Sequence, residues 1–232
     1  MQGPQVDVLR HQLEELTSLT SGLSPGDFAR GTRCPGWTVA ELVAHCEGML
    51  VRLVGDNARE VAGEVEIDRV GYYGYDPDGP RQDEDPALTF SEVIRERVIG
   101  EVAGRTPEQL QEALRAGVER AFDGLAGIPA DRVIQRSGHP RMRFGEFVAA
   151  RVLEFGVHTM DIAQAVDRPE RVHPDAEPVI TGILDGLLGQ RLPDVLGWDP
   201  TEHILKGTGR RPLSDDDRRR LGALAGRFPL LA

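Results

Sequence analysis

Apolar residues recur every three to four positions over most of this 232-residue chain, which is the period of an α-helix. From about Val6 to Leu23, the residues Val8, Leu9, Leu13, Leu16 and Leu19 fall near helical spacing, and "SGLSPGD" ends the run with Gly and Pro. The next helix is predicted in "CPGWTVAELVAHCEGMLVRLVG". Thr38 with Glu41 three residues on is the pattern of a capping box. Trp37 before the cap and Leu42 inside it form a hydrophobic staple, and Gly55 is a natural stop. A further helix starts near Thr89 and is interrupted around Gly104 to Pro107. Its second part is amphipathic through Leu110, Leu114, Val118 and Phe122. A fourth helix spans about Phe144 to Val166.

The segments between these helices carry other signals. Residues 56–87 are polar and rich in Gly, Pro and Asp, which predicts a long connection. Its tyrosines Tyr72, Tyr73 and Tyr75 suit either a loop packed down by its own rings or the mouth of a site. "IPADRVIQRSGHPRMR" reads as loop. Beyond Glu170 the pattern changes: "PVITGILDGLLGQRL" predicts a helix, "EHILKGTG" a short strand and "SDDDRRRLGALAG" a helix. The expected architecture is therefore mainly α. A four-helix bundle occupies residues 1–168, and a small α/β C-terminal extension occupies residues 169–232.

Composition narrows the function classes. The formal net charge is −11, so phosphate-bearing partners are repelled and neither nucleic acid nor an anionic membrane is expected. Two cysteines, Cys34 and Cys46, are too few for a disulfide framework. The N-terminal stretch lacks the pattern of a signal peptide, and no run approaches the roughly 20 apolar residues of a membrane span. The expectation is a cytoplasmic protein, monomeric or homodimeric.

Candidate chemistry centres on histidines. On the second helix Leu42, His45, Cys46, Met49, Leu50 and Leu53 form one core-facing stripe with His45 near its middle. On the fourth helix Glu154 and His158 are four residues apart, so they project about 40° from each other. Phe144, Phe147, Ile162 and Ala165 bracket the same sector. A buried carboxylate needs a partner, and bundle interiors are where helical proteins build metal sites. Two histidines and one carboxylate with an open position suit a catalytic zinc or a related divalent ion. Spacing alone leaves this undecided, because a Glu and a His four apart also make a surface ion pair and a lone His on an apolar stripe is commonly a packed core residue. Asp161 reads as a solvated helix residue more readily than as a support for His158. Cys46 reads as a small buried apolar residue, and Cys34 has no neighbour in sequence that would activate it. His11, His139, His173 and His203 have no partner at a recognisable spacing.

Two stretches together carry a resemblance. "TRCPGWTVAELVAHCEGM" resembles the N-terminal motif of the mycothiol-dependent maleylpyruvate isomerase family. "RVLEFGVHTMDIAQAVDRP" resembles that family's later Arg-x-x-Glu-x-x-x-His-x-x-Asp helix. The likeness covers about residues 5–168, and the tail also resembles the ending of actinobacterial members. It implies a DinB-like, up-down-down-up four-helix bundle with a divalent metal, typically Zn²⁺, held by His45, Glu154 and His158. It implies mycothiol as the thiol cosubstrate, delivered as a thiolate to a small electrophile by an isomerase or an S-transferase. A metal-dependent hydrolase on the same bundle and a non-catalytic small-ligand module are the alternatives.

Overall fold

A computed structural model describes residues 3–74, 90–136 and 139–231. Helix α1 spans Pro4–Ser21, α2 Pro25–Phe28, α3 Val39–Val51, α4 Arg69–Gly74, α5 Phe90–Val102, α6 Pro107–Leu125 and α7 Phe144–Ala165. They are followed by α8 Glu177–Leu188, α9 Pro200–Gly207 and α10 Asp215–Leu221. The four bundle helices are α1, α3, α6 and α7. They form a closed ring in which α1 packs on α7, α7 on α3, α3 on α6 and α6 on α1.

The helices begin where side chains satisfy their first N–H groups. Thr38 caps α3 by accepting from the Glu41 N–H, and the Glu41 carboxylate accepts from the Thr38 N–H at 2.6 Å. Thr106 and Gln109 make the same reciprocal pair at α6, directly after the predicted break, where Gly104 adopts φ +77°. Leu9, Leu13 and Leu16 of α1, Leu42 and Leu50 of α3, Leu110 and Leu114 of α6, and Phe144, Phe147 and Phe155 of α7 fill the core. Helix α7 lies deepest: from Phe147 to Ala163 every residue is buried except Glu154 and His158.

Three expectations change. "EHILKGTG" runs through the end of α9, not along a strand, and the described part of the C-terminal extension contains helices and loops but no strand. Asp199 starts α9 by accepting from the Glu202 N–H, with Pro200 in the first turn, a start signal that outweighs the β-branched Ile204. Second, the loop 128–143 contains a minimal antiparallel pair, β1 Val133–Ile134 with β2 Met142–Arg143. Third, residues 56–74 of the long connection are not featureless. They bridge to that hairpin at Glu60 and Ile67 and then form α4. Tyr75 and the remainder of the connection to residue 89 lie outside the described residues.

The extension is joined to the bundle by close packing. A Cβ on Gly156 of α7 would sit 2.7 Å from Ile180 Cδ1 of α8, so a larger residue there would force the Ile180 side chain to shift. Within the extension, the buried Lys206 ammonium lies 2.6 Å from Asp217, which also accepts from Trp198 Nε1 at 2.8 Å and from the Ser214 N–H at 2.8 Å. Burial alone would raise the Asp217 carboxyl, but Lys206, Ser214 and Trp198 together hold it well below the usual carboxylate range. Among the described residues no helix is long and apolar enough to cross a membrane.

Candidate metal and thiol site

The segment entering α3 is shaped by "CPGW". The Trp37 N–H donates to the Cys34 carbonyl at 3.0 Å and closes a turn in which Gly36 takes φ +80°. Pro and Gly at the two central positions are the residues this turn demands. The turn brings both Cys34 and Trp37 to one cavity of about 320 Å³. His45 of α3, Glu154 and His158 of α7, Tyr73 of α4, and Thr208, Arg210 and Leu231 of the extension complete its wall, with Leu42, Ile94, Leu153 and Val157 as apolar lining.

His45, Glu154 and His158 therefore line one cavity. The rings of His45 and His158 meet edge to face with centroids 5.2 Å apart, and His158 Nε2 lies 3.9 Å from Glu154 Oε2. Nδ1 of His45 is buried and has no hydrogen-bond partner among the described residues. An orphaned imidazole nitrogen is costly unless something coordinates or bonds it. Trp37 packs edge-on against the His45 ring at 5.5 Å. Trp37, read from the sequence as a staple, is thus a cavity wall as well as a neighbour of His45.

Asp161 is the main correction at the site. It is fully buried. Its Oδ2 lies 3.3 Å from His158 Nδ1 and accepts from Cys34 Sγ at 3.4 Å. Arg210 donates to both of its oxygens, from Nε at 3.3 Å and Nη2 at 3.2 Å, and Arg33 Nε lies 3.3 Å away. Arg33 also donates to Glu170. None of these partners shares a helical spacing with Asp161 except His158, so no periodicity along the chain marks them. Cys34, which has no polar partner in sequence, has Asp161 as one in space.

Two imidazoles in one cavity are driven in opposite directions. Burial pushes His45 down to about 2, and the positive charges of His158, Arg52 and Arg151 push the same way. Burial would also lower His158, but its hydrogen bonds with Asp161 and Cys34 raise it to about 9. Burial would raise the Asp161 carboxyl, yet His158 and Arg210 hold it well below the usual range. Burial pushes the Cys46 thiol far up, in keeping with an inert core residue, and likewise the Tyr73 phenol, whose OH donates to the Ala150 carbonyl at 2.7 Å.

Two sets of donor side chains share His158 here. His45, Glu154 and His158 line the cavity without their ligand atoms all lying within 4.8 Å of one another, whereas those of Cys34, His158 and Asp161 do. Physical argument separates them. Asp161 is already engaged by a histidine and a guanidinium. An Asp on His Nδ1 is the usual support that leaves Nε2 free to coordinate. The open nitrogen of His158 then faces Glu154, and the neutral imidazole of His45 is the form that binds metal.

The comparisons agree with this architecture. The family described as the mycothiol maleylpyruvate isomerase N-terminal domain matches residues 9–163. Two Mycobacterium tuberculosis proteins, Rv0036c of strain H37Rv and MT0041 of strain CDC 1551, both described as uncharacterized, are each 25% identical over 270 residues. The alignment spans 99% of this chain and 94% of theirs. The crystal structure of the mycothiol-dependent maleylpyruvate isomerase superposes with a TM-score of 0.50 at 18% identity, over 79% of this chain and 68% of that chain. A mutant of the same protein gives 0.49 at 17%. At such identity the likeness speaks for the fold.

Proposed function

The chain belongs to the mycothiol maleylpyruvate isomerase N-terminal domain family, and on that footing we propose a divalent-metal- and mycothiol-dependent cytoplasmic enzyme that sets a thiolate on a small electrophile, as an isomerase or an S-transferase. His45, Glu154 and His158 are its metal ligands. The observation that carries this reading is their convergence on one cavity, with the orphaned Nδ1 of His45 and the Asp161 bond that holds His158 by its other nitrogen. The donor set of two imidazoles and one carboxylate suits Zn²⁺. When bound, such an ion supplies a low-pKa position at which a thiol is present as thiolate at neutral pH.

The chain's own residues do the rest. Asp161 fixes the His158 ring and tautomer, and Arg210 and Arg33 keep Asp161 ionised. Trp37, Leu42, Leu153 and Val157 exclude water from the apolar side of the cavity and so strengthen the electrostatics within it. Residues 1–168 supply the three ligands. The described residues of the C-terminal extension, 169–231, close the cavity with Thr208, Arg210 and Leu231. Isomerase and transferase make the same demands on these residues. They differ in whether the thiol leaves again after adding to the substrate.

The test is metal content and thiol-dependent turnover of the purified protein beside the His45→Ala/Glu154→Ala/His158→Ala variant. The variant is expected to hold one ion fewer per chain and to lose turnover of an electrophile panel with mycothiol. Equal metal content removes the ligand assignment. Metal-dependent turnover that ignores the thiol turns the reading to a hydrolase using bound water. No turnover with any electrophile leaves a binding module.

A further inference from the structure

A second group of ligating side chains lies away from the cavity. His11 stands on α1, and His173 and Asp175 stand on the segment between α7 and α8. His11 Nδ1 lies 2.7 Å from Asp175 Oδ2, and His173 Nδ1 lies 3.7 Å from the same oxygen. The two rings are 4.8 Å apart, centroid to centroid, and the three ligand atoms all lie within 4.8 Å of one another. The sequence separates His11 from Asp175 by 164 positions, which is why no spacing reveals the group.

The backbone under this cluster is fixed from inside the protein. Gln12, next to His11, is fully buried. Its Oε1 accepts from the His173 N–H at 2.9 Å, and its Nε2 donates to Thr159 Oγ1 at 3.1 Å on α7. The Ala176 N–H donates back to the His173 carbonyl at 2.8 Å. One buried amide thus pins the His173 backbone against α1 and α7 and holds His173 beside His11. The Asp175 N–H donates to His173 Nδ1 at 3.2 Å, so that nitrogen carries a lone pair rather than a proton.

We propose that His11, His173 and Asp175 form a second site, for a divalent transition-metal ion of the zinc type. Two imidazoles and a carboxylate select Zn²⁺, Cu²⁺ or Ni²⁺ over Mg²⁺ or Ca²⁺, and the fourth position is left to water. A tetrahedral ion with ligands about 2.1 Å away sets its donors about 3.4 Å apart. Of the three pairs here, His11 with Asp175 is tighter than that at 2.7 Å, His173 with Asp175 slightly wider at 3.7 Å, and the two histidines lie within 4.8 Å, so side-chain shifts close the site on an ion. Binding replaces the proton between His11 and Asp175 and takes the His173 Nδ1 lone pair from the Asp175 N–H, which turns to water. The ion clamps the 169–176 segment onto α1. The same segment carries Glu170, the partner of Arg33 beside Asp161, so the outer site steadies one wall of the inner one.

The test is a count of ions. The full-length protein is stripped with chelator, titrated with Zn²⁺ in a calorimeter, and compared with His11→Ala/His173→Ala. These side chains are partly exposed, so the variant is expected to fold, and circular dichroism checks it. The variant should bind one ion fewer per chain. Asp175→Asn, which preserves shape, should bind the outer ion more weakly. Cu²⁺ on the His45→Ala/Glu154→Ala/His158→Ala protein should show an electron paramagnetic resonance signal with nitrogen coupling that disappears when His11 and His173 are also removed. Equal stoichiometry in wild type and double variant, or an unchanged Cu²⁺ signal, overturns the proposal. The readout is a difference between proteins, so it holds whether or not the cavity takes an ion of its own.

Discussion

The two histidine clusters are built from the same parts and set in opposite surroundings. The inner one has Asp161 at 0% side-chain exposure, the outer one has Asp175 at 53%. Inside, burial lowers both imidazoles and hydrogen bonds with Asp161 and Cys34 reverse it at His158 alone, while a carboxylate gathers a histidine, two guanidiniums and a thiol around it. Outside, the same residue types make one short hydrogen bond in contact with water. A low dielectric makes every charge depend on its neighbours, whereas water screens each from the next. The inner cluster is therefore a unit in which no member is dispensable, and the outer one is a set of separable ligands.

The largest expected effect follows from that contrast. Asp161→Ala leaves Arg33, Arg210 and His158 facing one another with their shared counter-charge removed. Breaking a buried ion pair on one side costs about 3–5 kcal/mol. Urea unfolding of metal-free protein should show a loss of that size. A loss below about 1 kcal/mol, the worth of a surface pair, would mean that the inner cluster is as separable as the outer one. Trp37→Ala comes next. Trp37 is 6% exposed and touches the His45 ring. Truncating a buried aromatic costs about 3 kcal/mol or more. The thermal midpoint should therefore fall while the bound ion is retained. Loss of the ion with an unchanged midpoint would make Trp37 a site residue first and a staple second.

Much of this was legible in the chain, and the part that was not has a common cause. Periodicity gave the four bundle helices, and the capping pair Thr38 and Glu41 stands where it was read. His45, Glu154 and His158 were placed on core-facing sectors by arithmetic on helical angles, and they do share a cavity. The misreadings involve contacts between distant segments. Asp161 looks like a polar residue on a helix because Arg33 and Arg210 lie 128 and 49 positions away. His11 looks unpartnered because its carboxylate is on another segment. "EHILKGTG" looks like a strand because its short apolar run fits either period, and the cap at Asp199 lies outside the run. Local patterns report the face of an element, and long-range polar pairings leave no periodic trace.

The extension offers a third carboxylate with which to sharpen the comparison. Asp217 is buried like Asp161 but gathers an ammonium, a backbone N–H, a hydroxyl and an indole N–H. Asp217→Asn removes the charge and keeps the shape. A hydrogen bond to a charged group is worth about 1.5–3 kcal/mol, so a loss near 2 kcal/mol is expected at neutral pH. The sign with pH is fixed by the direction of the shift. The folded carboxyl lies below its unfolded value near 3.9, so its contribution is whole above about pH 4 and fades as the pH falls toward the folded value. The gap between wild type and variant should therefore narrow on acidification below about pH 4. A gap that widens there would place the stabilisation in a partner other than the ionised carboxylate.

The smallest effect belongs to the outer cluster without metal. Asp175→Ala removes one hydrogen bond to an exposed histidine, and partners in water replace it. Exposed pairs contribute about 0–1 kcal/mol, so metal-free wild type and variant should unfold within that margin of each other. Adding Zn²⁺ should separate them, because an ion that binds only the folded state stabilises it in proportion to the logarithm of its concentration over the dissociation constant. The comparison thus yields a double contrast. Removing the inner aspartate should cost stability before any ion is present, and removing the outer one should cost it only afterwards. A large loss on Asp175→Ala in the metal-free protein would show that the segment between α7 and α8 is held by that hydrogen bond itself, with no need of an ion to hold it.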